Sequence, residues 1–305
     1  ALRARAFGLL PEPLVAELRG LAARWLADND PALLGAALRA LPWLPEPLAL
    51  AARHATSPDP MIRRALALAL GGVRDPGAHA ALAHLAERDP VPYVRMAAVW
   101  ALASRPDCDV ALLYRIARDG EDARVRDAAI EKLIGRQPGA AAPLVEAALR
   151  ESGSAGGTLL EKLFAAPPHP AVEALARRIV ASSARQLERL NHRAPELAVG
   201  YLVDRGAYDA APAIRNLLAA RYIGARTAAA AAAARLGDRA AVAPLEAMLR
   251  DENDYARIAA AEALAALGSR ASATKIEAAA RDVSEWALPA IEAALVALRA
   301  AGPKP

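Results

Sequence analysis

Aromatic residues, cysteine and lysine are all scarce in this sequence of 305 residues. Aromatics make up 4%, so the core must be built mostly from alanine, leucine, valine and isoleucine. The single cysteine, Cys108, excludes an intramolecular disulfide and a multi-cysteine zinc site, and it suits a reducing compartment. No stretch of 18 apolar residues is free of charge and proline, so no transmembrane helix is expected. These features predict a cytoplasmic protein without a membrane partner.

The charges are nearly balanced, with 38 basic and 34 acidic residues and a net charge of +4. Neither half of the chain is basic and no basic tail is present, so the global charge gives no reason to expect a nucleic-acid partner. Only four of the basic residues are lysine. Together with the many alanines, this skew indicates a GC-rich coding bias rather than phosphate recognition.

The sequence contains an internal repeat of about 31 residues. The stretch "RTAAAAAAARLGD" (226–238) aligns with "RIAAAEALAALGS" (257–269), and earlier copies occur at 58–72, 89–104 and 121–135. One arginine recurs at the same position of these copies: Arg63, Arg95, Arg126, Arg226 and Arg257. A poly-alanine run that fits such a series is expected to be a packed helix and not a linker.

Each copy has the signals of a helix start, a helical stripe and a helix end. Asp59-Pro60 suits a start, because aspartate caps free N–H groups and proline lacks one. Apolar residues then recur at steps of three and four. Glycines at 71, 135, 237 and 268 are expected to end the helices in a left-handed conformation. A second helix in each unit predicts an all-α protein made of helix pairs.

The stretch "APLEAMLRDENDYARIAAAEALAALG" (243–268) resembles HEAT repeats, in particular the short alanine-rich type of phycobilisome lyase-like proteins. The resemblance rests on Pro244, Asp251 and Arg257. It implies an all-α solenoid of about nine stacked two-helix repeats, whose second helices line a concave face. It also implies that the recurring aspartates and arginines pair between adjacent repeats. We expect one solenoid over 1–305, regular over 28–150 and 207–300 and irregular over 151–206.

The irregular part carries an arginine cluster. "SGSAGG" (152–157) replaces the usual helix start and is interpreted as a loop. Arg185, Arg189 and Arg193 are spaced four apart, which predicts one face of an extended helix, with Arg178 just upstream. Three interpretations stay open: a solvated face, a patch that binds an anion or an acidic partner, or a nucleic-acid contact, although no aromatic residues alternate with these arginines.

Trp100 is the most informative aromatic residue. It occupies the repeat position of Glu131 and Glu262, which should face solvent from the second helix. Trp100 is therefore either a contact anchor or a side chain lying flat over its neighbours. The candidate partner-binding surface consists of Arg64, Tyr93, Met96, Trp100, Asp127 and Glu131.

No catalytic or cofactor motif accompanies the repeats. His79 and His84 are five apart, which is poor metal-ligand spacing, and no glycine-rich phosphate loop or nucleophile elbow occurs. We therefore expect no metal, no cofactor and no catalysis. The preferred function is a scaffold or adaptor that binds another protein on its concave face. The alternatives are a bilin lyase-like or chaperone-like subunit that binds a tetrapyrrole, and a DNA-binding HEAT-like protein.

Overall fold

The chain folds into consecutive helix pairs, and the computed structural model describes residues 12–26, 37–38, 42, 47–151 and 155–300. Within these residues all regular secondary structure is helical. The α-helices are α1 (Glu12–Leu26), α2 (Pro47–His54), α3 (Pro60–Leu70), α4 (Pro76–Arg88), α5 (Pro92–Ser104), α6 (Val110–Asp119), α7 (Ala123–Ile134), α8 (Pro138–Ala148), α9 (Ala155–Ala165), α10 (Pro170–Val180), α11 (Ala184–Leu187), α12 (Ala194–Asp204), α13 (Ala211–Asn216), α14 (Ile223–Leu236), α15 (Val242–Met248), α16 (Asp254–Ala266), α17 (Ala273–Ala280) and α18 (Leu288–Ala300). Short 3₁₀ segments at Tyr208–Ala210, Leu217–Ala219, Arg239–Ala241 and Arg270–Ser272 adjoin the later first helices.

The expected α-solenoid architecture is confirmed. From Pro47 to Ala300 the described helices form eight pairs, each with a first and a second helix, and the short helix α11 lies between the two helices of one pair. The tertiary contacts group the chain into two compact units, one ending at Arg136 and one beginning at Gln137. The expectation of a single solenoid over 1–305 stays a prediction.

In the N-terminal unit, the second helices α3, α5 and α7 pack on one another in sequence order. The first helices α4 and α6 each pack on the second helix of their own pair. Leu66, Leu82, Leu102, Leu113 and Leu133 are fully buried in this core. The apolar stripes predicted from the sequence thus form the interior of the unit.

The C-terminal unit repeats this arrangement with α12, α14, α16 and α18 as its row of second helices. The poly-alanine segment is helix α14, which packs between α12 and α16 and buries Ala229, Ala230, Ala232 and Ala233. Small alanine faces let neighbouring helices approach closely. The prediction that this run is a packed helix is confirmed.

Aspartates begin many of the helices as expected. The Asp59 carboxylate accepts the Met61 N–H at 2.8 Å, and Pro60 follows as the first residue of α3. Asp75 and Asp122 cap α4 and α7 in the same way. These side chains satisfy N–H groups that have no partner inside the helix.

The glycine prediction is correct at two of its four positions. Gly237 and Gly268 have φ of +65° and +70°, the left-handed conformation that glycine adopts without steric cost. Gly71 and Gly135 have φ of −58° and −69° and remain right-handed. The prediction was wrong there because the N-terminal pairs are joined by turns that continue in the right-handed region.

Two predictions about the irregular segment were wrong. Residues 155–157 are the start of helix α9 and not a loop, while 152–154 lie outside the described residues. Gly156 and Gly157 are buried, and a Cβ on Gly156 would lie 2.7 Å from the Ala148 carbonyl oxygen. These glycines therefore allow close packing. The extended helix expected around Arg185, Arg189 and Arg193 is also absent, because α11 ends at Leu187.

Residues 1–11 and most of residues 28–46, where the regular repeats are expected to begin, lie outside the described residues.

Candidate partner-binding surface

Four large apolar side chains are exposed on two neighbouring second helices. Met61 and Leu68 belong to α3 and are 54% and 45% exposed. Tyr93 and Trp100 belong to α5 and are 41% and 39% exposed. The other side of α5 is buried through residues such as Val99 and Leu102. We call Met61, Leu68, Tyr93 and Trp100 the apolar surface.

The helical repeat brings these four side chains together. Within each helix the two residues are seven positions apart, which is two turns and about 10 Å along the axis. The helices α3 and α5 pack directly on one another, so the two pairs lie side by side. Met61 and Leu68 are not among the residues predicted from the sequence. The repeat alignment indicates them, because Met61 has the same repeat position as Tyr93, and Leu68 has the same repeat position as Trp100.

The remaining residues of the predicted surface flank the apolar surface. Arg64 on α3 and Met96 on α5 are partly exposed. Asp127 and Glu131 lie on α7 and are also partly exposed; the Glu131 carboxylate is 3.6 Å from the Lys132 ammonium. One repeat position is occupied on three successive second helices by Arg64, Met96 and Asp127. The side chain at this position therefore changes from basic to apolar to acidic along the repeats.

The five recurring arginines lie near the starts of the second helices. We call this series the arginine ladder, and each arginine together with its hydrogen-bond partners a rung. In every case the guanidinium donates a hydrogen bond to the carbonyl oxygen six residues earlier. The pairs are Arg63 with Ser57 (2.7 Å), Arg95 with Asp89 (2.7 Å), Arg126 with Gly120 (2.8 Å), Arg226 with Ala220 (2.8 Å) and Arg257 with Asp251 (2.5 Å). Each arginine therefore closes the loop that precedes its own helix.

The expected aspartate of the next repeat is present in two of the rungs. Arg63 pairs with Asp89 through Nε–Oδ2 at 2.7 Å and NH2–Oδ1 at 3.0 Å. Arg226 faces Asp251 in the same orientation: its NH2 donates to Oδ1 at 3.0 Å, whereas its Nε lies 2.8 Å from Oδ2 without forming a hydrogen bond. Hydrogen bonding to Asp89 raises the pKa of the Arg63 guanidinium.

The expectation of carboxylate pairing was wrong for Arg257 and Arg95. The Arg257 guanidinium contacts Asp282 through the backbone carbonyl oxygen and not through the side chain. Arg95 has no carboxylate partner among the described residues, because Gly120 occupies the position of the aspartate.

Two of the four arginines in the predicted patch form ion pairs with carboxylates of the chain, and two do not. Arg178 pairs with Glu146 at 2.7 Å, and Arg193 pairs with Glu161 at 3.3 Å. Arg185 and Arg189 are exposed, and no described carboxylate pairs with them. Arg178 and Arg189 line a common surface cleft, whereas Arg185 and Arg193 do not. The assignment of these four arginines to an anion-binding patch stays a prediction.

An aromatic pair lies in the C-terminal unit. The rings of Tyr255 and Trp286 are 4.9 Å apart, and both are more than half exposed. The two residues share one repeat position, so this ring contact joins two neighbouring repeats.

Cys108 and the histidines show no catalytic arrangement in the described part of the chain. Burial raises the pKa of the Cys108 thiol, and the charges of Asp109 and Asp107 raise it further, against the influence of Arg136. This thiol is therefore protonated at neutral pH. No group of three His, Cys, Asp or Glu side chains within the described residues is placed to hold a metal ion. None of the described helices is long and apolar enough to span a bilayer.

The sequence matches the HEAT repeats family over residues 18–103 and 50–134. This match lies in the N-terminal part of the chain and supports the resemblance to HEAT repeats. The match says nothing about the phycobilisome lyase-like type. A comparison with curated protein sequences found no significant match.

Two solved structures are similar over most of the chain. Human deoxyhypusine hydroxylase, in complex with glycerol, matches 93% of this chain and 96% of its own at 23% identity, with a TM-score of 0.35. YibA of Escherichia coli matches 92% of this chain and 96% of its own at 15% identity, with a TM-score of 0.48. At these values neither protein informs the activity of this chain.

Proposed function

We propose that this protein is a non-catalytic scaffold that binds a partner protein through the apolar surface and the polar residues beside it. The observation that carries the proposal is the exposure of Met61, Leu68, Tyr93 and Trp100 on two adjacent helices. Single exposed apolar residues are normal, but a contiguous group on one face of a folded unit is typical of a contact site.

The composition of this surface fits an interface centre with a polar rim. Trp and Tyr are enriched among residues that dominate binding energy, and methionine adapts to irregular partner surfaces. Arg64 stands beside the apolar residues on one helix, and Asp127 and Glu131 stand on the helix beyond. Such a rim would orient a partner by charge while the apolar centre supplies most of the affinity.

The experiment is a pull-down from nuclease-treated lysate of the source organism, with quantification of the retained proteins. Wild type is compared with Trp100→Ala and Leu68→Ala. The matched control is Trp286→Ala, which removes an exposed tryptophan from the C-terminal unit. The proposal expects a protein that both surface variants lose and the control keeps. Equal retention by all four proteins would contradict it.

A tetrapyrrole-binding subunit is the second function that the repeat style suggests, because the alanine-rich units resemble the phycobilisome lyase-like type. It predicts a change in visible absorbance when a bilin is added, and quenching of Trp100 fluorescence if the ligand lies on the apolar surface.

A DNA-binding protein is the third function, and it predicts retention on duplex DNA that falls steeply with salt. Here the exposed Trp100 adjoins the acidic residues Asp127 and Glu131, which disfavours a phosphate backbone.

A further inference from the structure

In the Arg95 rung of the arginine ladder, the position of the next repeat's aspartate is occupied by a glycine, Gly120. The two complete rungs, Arg63–Asp89 and Arg226–Asp251, show what a filled rung contains. NH1 of the arginine donates to the carbonyl six residues earlier, and the Nε/NH2 edge faces the aspartate of the next repeat. An oxygen of that aspartate also accepts the backbone N–H two residues later, at 2.9 Å in both rungs.

The Arg95 rung keeps the donors and lacks the acceptor. Arg95 NH1 donates to the Asp89 carbonyl oxygen at 2.7 Å, as in the other rungs. Gly120 stands where the aspartate would be, and its φ of −60° and ψ of 136° match the −60° and 132° of Asp89. Within the described residues nothing accepts a hydrogen bond from the Nε/NH2 edge of Arg95 or from the Asp122 N–H.

The backbone prevents position 120 from supplying a side chain of its own. The Gly120 N–H binds the Ile116 carbonyl oxygen at 3.0 Å, closer than the 3.2 Å of the equivalent Asp89 bond. A Cβ on Gly120 would lie 2.6 Å from that oxygen. A surface cleft of about 660 Å³ opens here, and Arg95, Gly120 and Asp122 are among its lining residues.

Of the five carboxylates that line the cleft, four are paired with other arginines, and the fifth, Glu121, is exposed and is not paired with Arg95. The pairs are Asp89 with Arg63 (2.7 Å), Glu87 with Arg115 (2.6 Å), Asp119 with Arg118 (2.7 Å) and Asp122 with Arg124 (3.0 Å). Arg95 is partly buried, so solvent satisfies its free edge less well than that of a fully exposed arginine.

We propose that the open position of the Arg95 rung binds a carboxylate from outside the chain, as the two-pronged partner of Arg95 and the acceptor of the Asp122 N–H. The Arg63–Asp89 pair is the template for this geometry, and planar carboxylates match the guanidinium fork. The source would be an acidic side chain or a chain terminus of a partner protein. The site does not depend on the apolar surface.

The first test titrates acetate into the wild-type protein and follows the ¹⁵N–¹H signals of the arginine Nε–H groups and the Asp122 N–H by NMR. Sodium chloride at equal ionic strength is the reference titration. We expect saturable shifts of the Arg95 and Asp122 signals. The Nε–H signals of Arg63 and Arg226 serve as internal controls and should stay in place, because their rungs are filled. Unsaturable shifts, or equal shifts in all three rungs, would overturn the proposal.

Two variants test the same site from opposite directions. Arg95→Gln removes the charged fork and should weaken acetate binding at the Asp122 N–H by about tenfold or more. Asp251→Gly opens the Arg226 rung and should give Arg226 an acetate response that the wild type lacks. An unchanged affinity in Arg95→Gln would contradict the assignment even if Asp251→Gly failed to fold.

Small probes distinguish the source of the carboxylate. N-acetylaspartate amide presents a side-chain carboxylate, and N-acetylglycine presents that of a chain terminus. Tighter binding of either one identifies the source and supports the proposal. Inorganic phosphate is the third probe, and its binding at Arg95 more tightly than both carboxylates would overturn the proposed ligand class.

Discussion

Arg63 and Asp89 form a two-pronged ion pair across 26 residues, with N–O distances of 2.7 and 3.0 Å. Their side chains are 9% and 2% exposed. Because Arg63 lies in the first turn of the second helix of one repeat and Asp89 directly follows the first helix of the next, the pair fixes adjacent repeats to each other. Further hydrogen bonds help to offset the cost of burying these two charges, because Arg63 NH1 donates to the Ser57 carbonyl oxygen and Asp89 Oδ1 accepts the Val91 N–H.

Removing one member of this pair should be costly. Asp89→Ala leaves the Arg63 guanidinium buried without a counter-charge, and we expect a loss of about 3 kcal/mol in the free energy of unfolding. Urea denaturation followed by circular dichroism measures it. Asp204→Ala is the control, because the Asp204–Arg235 pair is more than half exposed and should cost less than about 1 kcal/mol. Equal losses in the two variants would refute a special role of the buried rung.

The two kinds of glycine should respond differently to alanine. Gly237→Ala forces a side chain into the left-handed region and should destabilise the protein by about 1 kcal/mol. Gly135→Ala meets only the Lys132 carbonyl oxygen at 3.8 Å with φ of −69°, so it should be neutral or slightly stabilising. Thermal unfolding of both variants checks the sign, and a stabilising Gly237→Ala would contradict the structure.

Glu246 should contribute a pH-dependent part of the stability. Hydrogen bonds from Lys275 at 2.5 Å and Ser272 at 2.7 Å lower the pKa of this carboxyl below its usual 4.5. Because the folded pKa is the lower one, the contribution is complete above the unfolded pKa and is lost as pH falls through the folded value. Wild type should therefore exceed Glu246→Gln in urea midpoint at pH 6, and the gap should shrink by pH 3. A gap that stays constant with pH would show that ionisation of Glu246 is not involved.

Trp100 should matter little for stability. Its side chain is 39% exposed, so Trp100→Ala is expected to leave the free energy of unfolding within about 1 kcal/mol of wild type. Leu102→Ala, two residues away and 1% exposed, should cost about 2–5 kcal/mol because it leaves a cavity. If Trp100→Ala cost as much as Leu102→Ala in urea denaturation, the residue would belong to the core.

The sequence predicts the repeat architecture well, because helix starts, apolar stripes and the 31-residue period repeat many times. The same period also applies to a second recurring arginine, which was not predicted to be structural. Arg105 and Arg136 are 31 apart, and each donates to backbone carbonyls near the end of the preceding second helix. The arginine excess, first interpreted as coding bias, thus includes many residues that join neighbouring repeats.

Non-repeating geometry could not be predicted from the period. The arginine spacing at 185, 189 and 193 suits a helix, but the chain turns after Leu187, which is buried, and the Asn191 N–H binds the Leu149 carbonyl oxygen at 3.2 Å. These tertiary contacts set the path of the chain here, although the spacing of the arginines alone favours a continuous helix. Likewise, Gly156 and Gly157 suggest a loop by composition, whereas close helix packing requires their small size.

The most direct test of the proposed scaffold function places a photo-crosslinking amino acid at Leu68, beside Trp100 on the apolar surface, and at Val296 in the C-terminal unit as an exposed control. After irradiation in the source organism's lysate, the account predicts one discrete crosslinked protein from the Leu68 position, lost when Trp100→Ala is added and not formed from Val296. No crosslink from Leu68, or the same product from both positions, would contradict the claim that this surface binds a partner.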